Sequence, residues 1–63
     1  MMKADSYTTE MIEGIAQLPN DIQLKTLHKL QYKNRHRDDQ DEEDYNTNYD
    51  YIQRFIDTLE KLV

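Results

Sequence analysis

The chain contains no cysteine and no tryptophan, and only one glycine and one proline among its 63 residues. Without cysteine no disulfide can staple the fold. That suits a reducing compartment, and a cytoplasmic location is the expectation. One glycine and one proline cannot supply the many turns of a β-rich fold. No apolar run reaches the roughly 18 residues of a transmembrane helix. The opening MMKADSYTTEM lacks the apolar core of a signal peptide. There is no glycine-rich phosphate loop, no nucleophile elbow and no HExxH helix. A chain this short also leaves little room for a pocket of about 300 Å³. A non-enzymatic protein with no cofactor is expected.

What is present is charge. Thirteen acids face eight bases, for a net charge of −5. This disfavours nonspecific contact with nucleic acid or an anionic membrane and favours a basic partner. A chain of this size buries only about 60% of the surface its unfolded form exposes. Its core is therefore thin, and regular helix packing or self-association is expected to support it.

Three helices are legible. Met11, Ile12, Ile15 and Leu18 make one narrow face, with Thr8 or Ser6 as the cap and Glu10 in the first turn. Pro19 ends that helix and suits the first position of a second, with Asp21 two residues on. Ile22, Leu24, Leu27 and Leu30 then spread over a broad arc, as a central helix requires. In the third segment Tyr45, Tyr49, Ile52, Ile56, Leu59 and Val63 follow alternating steps of four and three. Phe55, Leu62 and Tyr51 widen that stripe. The Thr47-Asn48-Tyr49-Asp50 stretch resembles a capping box with Asp in place of Glu, which starts the helix at Thr47 or earlier.

Between the second and third helices the charge inverts at one peptide bond. Lys25, Lys29, Lys33, Arg35 and Arg37 occupy residues 25–37 without an acid. Residues 38–44 then read DDQDEED, six acids in seven positions. The signs match a helix C-terminus followed by a helix N-terminus, each favourable charge contributing about 0.3–1 kcal/mol. Six acids exceed what capping requires.

Several chemistries could use that surplus. As a calcium loop counted from Asp39, the run has Asp44 where a glycine must turn and the short Asp50 at the twelfth position. His28 and His36 lie eight apart with no thiolate or tight acid cluster, short of a zinc site. No metal is expected. The carboxylates can instead occupy a Lys/Arg groove on another protein, with a tyrosine where a base would stack. On that basis Asp38, Asp39, Asp41, Glu42, Glu43, Asp44 and Tyr51 are the expected partner-binding residues.

The expected fold is all-α, a single domain that is a small helical hairpin or three-helix bundle. Residues 1–7 are a loose arm, and residues 36–46 are a charged connection. Ile52, Phe55, Ile56, Leu59 and Leu62 are expected to pack on Leu24, Leu27 and Leu30. The expected function is a small acidic regulator or inhibitor that covers a basic or nucleic-acid-binding surface of a larger protein. Short acidic proteins of phage and mobile elements offer the analogy. Self-association is expected as well, with a dimer favoured. The alternatives are a nucleic-acid-associated regulator using the 25–37 basic stretch and a purely structural oligomerisation module.

Overall fold

The computed structural model describes residues 4–62 and is all-α. Helix α1 spans Ser6–Ile15, α2 spans Asn20–Arg35 and α3 spans Glu42–Leu62. No strand occurs among the described residues. The longest dimension, 33 Å, is set by α3, whose 21 residues rise about 31 Å.

Each helix starts at a signal the chain supplies locally. Asp5 caps α1: its Oδ1 accepts the Thr8 amide at 2.9 Å, and its extended backbone feeds the first turn. Thr8 is thus inside the helix and buried, where the sequence suggested a cap. Pro19 is the residue before α2 rather than its first residue, and it offers no side-chain cap. The Gln23 amide compensates nearby by donating to the Ala16 and Leu18 carbonyls at 3.2 and 2.7 Å, tying off the end of α1. Asp41 starts α3, accepting the Asp44 amide at 2.8 Å.

Two expected boundaries are corrected by these caps. The loose arm is wrong for residues 4–7, because Ala4 is buried and Asp5, Ser6 and Tyr7 begin α1. Residues 1–3 lie outside the described residues. The charged connection is also shorter than residues 36–46. Glu42, Glu43, Asp44, Tyr45 and Asn46 are helical, since the cap is Asp41, ahead of the Thr47 signal.

The core consists of Ile12 and Ile15 from α1, Leu27 and Leu30 from α2, and Ile52, Ile56 and Leu59 from α3. Met11, Leu24 and Tyr51 pack against it while half-buried. Phe55 and Leu62 do not join it, being 37% and 68% exposed. The α3 stripe that faces inward runs Asn48, Ile52, Ile56, Leu59, so the helix is rotated away from the tyrosine stripe. Tyr45 and Tyr49 are left half-buried beside it, their rings tilted to one another with centres 6.1 Å apart. Val63, the last residue of the expected stripe, lies outside the described residues.

Candidate partner-binding surface

The charge inversion resolves into two parts, a polar clasp and a free acidic face. The clasp sits where the start of α1 meets the end of α2 and the first half of α3. Arg37 is its centre, with a side chain only 17% exposed. Its guanidinium donates to both Asp39 oxygens at 2.9 and 3.1 Å and to Asp5 Oδ2 at 3.0 Å. It reaches Thr8 Oγ1 at 3.5 Å and lies 5.0 Å from the centre of the Tyr7 ring.

Asn48 carries the clasp inward. It is buried, and its Oδ1 accepts the Asp5 amide at 3.0 Å. Its Nδ2 donates to Gln40 Oε1 at 2.9 Å and to Asp5 Oδ2 at 3.3 Å. Gln40 in turn donates to the Asn34 carbonyl and to Asn34 Oδ1, at 2.7 and 3.0 Å. Asp5, Asn34, Arg37, Gln40 and Asn48 are thereby joined in one network at one end of the bundle. Asn34 Nδ2 is the buried atom of this group without a partner among the described residues.

The Asp5 carboxyl records the competition of forces here. Partial burial raises its pKa. The Thr8 amide and the Arg37 guanidinium outweigh that and hold it at about 2. Arg37 likewise draws Asp39 below the usual carboxylate range. A depressed carboxylate stabilises the fold above its unfolded value and loses that contribution as the pH falls through its folded value. A stability gap between the parent and Asp5→Asn is therefore expected at neutral pH. It should shrink as the pH drops from about 4 to about 2. Urea midpoints of both proteins across that range measure it, and a gap that ignores pH would assign the contribution to packing.

All six acids of the run are exposed, but they divide by role. Asp39 is held by Arg37, and Asp41 caps α3. Glu42, Glu43 and Asp44 occupy the first turn of α3, where the helix dipole favours them. Asp38 has no ion pair among the described residues, and neither do those three. Asp41, Glu42 and Glu43 line a shallow depression on α3 together with Asn46, Thr47 and Asp50. Asp50 was not among the expected residues. Its position seven after Glu43 places it on the same side of the helix, a spacing readable from the sequence.

Tyr51 does not join this acidic depression. It is half-buried against the core and meets Phe55 edge-on, with ring centres 5.2 Å apart. The reason is its one-residue offset from Ile52, which turns it toward the flank of the core. On α2, Lys25, Lys29 and Lys33 form an exposed row, and Arg35 is exposed beyond them. Arg37, the last base of that stretch, is committed to the clasp.

No group of three or more metal-ligating side chains with the geometry to hold an ion occurs among the described residues. No described helix is long and apolar enough to cross a membrane. Comparison with family models, curated proteins and solved structures gives no match.

Proposed function

We propose that this protein is a small acidic, non-catalytic regulator or inhibitor that binds a basic surface of a larger protein. The observation that carries this reading is the charge layout of α3. Residues 41–53 hold Asp41, Glu42, Glu43, Asp44 and Asp50 and no base. All five are exposed, Asp41 as the cap of α3 and the other four within the helix. Carboxylates fixed in this way lose less freedom on binding than carboxylates in a loop, and they speed encounter with a cationic partner. Asp38 extends the same field at the helix start. Asp39 contributes less, because Arg37 already neutralises it.

The test is comparative capture from the native host. The parent protein is expected to retain a basic protein, and Asp38→Asn/Glu42→Gln/Glu43→Gln/Asp50→Asn is expected to lose it. Raising salt from about 50 to 300 mM should weaken the same complex, since its attraction is screened. Retention that is indifferent to both changes would move the site to an apolar face. The rival reading, a nucleic-acid contact through Lys25, Lys29, Lys33 and Arg35, has the exposed lysine row in its favour. A duplex DNA shift at low salt that disappears in Lys25→Glu/Lys29→Glu would favour it over the acidic face.

A further inference from the structure

We propose that α3 carries a second seam, separate from its core stripe, through which two copies of this chain pair antiparallel. This goes beyond binding to a basic partner, and the seam shares only its first turn, at Asp44 and Thr47, with the acidic face. The seam is Asp44, Thr47, Tyr51, Arg54, Thr58 and Lys61, which follow steps of three and four from end to end. Asp44, Arg54, Thr58 and Lys61 are exposed, and Thr47 and Tyr51 are half-buried. Tyr51, Arg54, Phe55 and Thr58 line a shallow depression at its middle, to which α1 and α2 contribute nothing.

Three observations fit a second copy on this face. The first is register. In an antiparallel pair with its two-fold axis between residues 52 and 53, Asp44 meets the partner's Lys61. Thr47 then meets the partner's Thr58, and Tyr51 meets the partner's Arg54. Every layer is complementary: an ion pair, a methyl contact and a cation over an aromatic face.

The second is desolvation. The Thr47 and Thr58 hydroxyls already donate to the Glu43 and Arg54 carbonyls of their own helix, at 3.0 and 2.8 Å. Neither threonine therefore brings an unsatisfied hydroxyl donor to the seam. The third is charge. Residues 41–53 are wholly acidic in their charged members, while 54–62 balance Arg54 and Lys61 against Asp57 and Glu60. Antiparallel pairing sets an acidic half against a neutral half; parallel pairing sets acid against acid. Asp57 is drawn aside by the Gln53 amide at 2.9 Å, away from the seam. Phe55 and Leu62 flank the seam and supply the apolar area.

One pair of helices about 31 Å long gives an interface at the small end of the range, and a weak, concentration-dependent dimer is expected. Glu42 lies on the far side of α3, and Asp38 and Asp41 precede the helix, so these acids stay free in the pair.

The test exchanges one layer. Asp44→Lys alone sets lysine against lysine in two layers of the homodimer, and Lys61→Asp alone sets acid against acid. Mixed in equal amounts, the two variants restore both ion pairs in a heterodimer. Sedimentation equilibrium is expected to show concentration-dependent dimers for the parent. Each variant alone should dimerise at least tenfold more weakly, and the mixture should recover. Recovery on mixing also excludes misfolding as the cause of the loss. The proposal is overturned by a parent that stays monomeric to about 1 mM, by variants that dimerise unchanged, or by a mixture that does not recover.

Discussion

Ile52→Ala is expected to lower the unfolding free energy by about 2–5 kcal/mol, enough to remove most of the helical signal at 25 °C. Ile52 has no exposed surface and belongs to the core cluster that draws on all three helices. Truncation there loses the transfer energy of the buried methylenes and leaves a cavity that three rigid helices cannot close. Among the described residues the core cluster has seven buried members drawn from three helices, so little remains to absorb the loss. Phe55→Ala, three residues on, is expected to cost less than about 1 kcal/mol, because its ring is already partly in water. Thermal melts followed by circular dichroism separate the two. Equal losses would mean that Phe55 packs as deeply as the apolar spacing alone suggests.

Asn48→Ala is expected to cost about 2–4 kcal/mol, more than a surface asparagine can. Asn48 is 1% exposed and holds three partners at once: the Asp5 amide, the Asp5 carboxylate and Gln40 Oε1. Alanine strands the Asp5 amide and the Gln40 oxygen away from water and frees the cap of α1. Asn48→Leu fills the volume but strands the same groups. Asn48→Asp sets a second carboxylate against Asp5, so neither substitution should rescue the protein. Urea midpoints measure all three. A near-neutral Asn48→Leu would mean that the site behaves as ordinary core and that the clasp contributes no specificity.

These two residues also mark where reasoning from the sequence succeeds and where it stops. Ile52, Ile56 and Leu59 are recoverable from spacing alone, as is the break at Pro19. Each depends on neighbours within one or two turns. Asn48 lies on the same stripe, four residues before Ile52, yet apolar periodicity passes over it in favour of Tyr45 and Tyr49. A buried asparagine is tolerated only when its partners are present, and those partners lie 8 and 43 positions away. The same distance hides the role of Asp5, which reads as part of a loose arm until Arg37 is brought beside it. Its capping of α1 is hidden too: the sequence points to Thr8 or Ser6, and the structure gives that role to Asp5. The acidic surface is legible in composition. Its division into clasp, cap and free face depends on helix rotation and on one arginine.

The meaning of the inversion at residues 37 and 38 is therefore a matter of two stabilities. Urea denaturation should be run at pH 7 and low salt on two variants beside the parent. Arg37→Gln removes the ion pairs to Asp5 and Asp39 and leaves a half-buried carboxylate without its cation. Asp38→Asn/Glu42→Gln/Glu43→Gln/Asp44→Asn removes four acids that hold no ion pair among the described residues. Loss of their dipole interaction is offset by relief of their mutual repulsion. A clasp that holds the fold beside a free acidic face requires a clear drop for Arg37→Gln, of about 1–3 kcal/mol. It also requires a change below about 1 kcal/mol for the four-acid variant. An unaffected Arg37→Gln, or a four-acid variant that unfolds, would contradict that division.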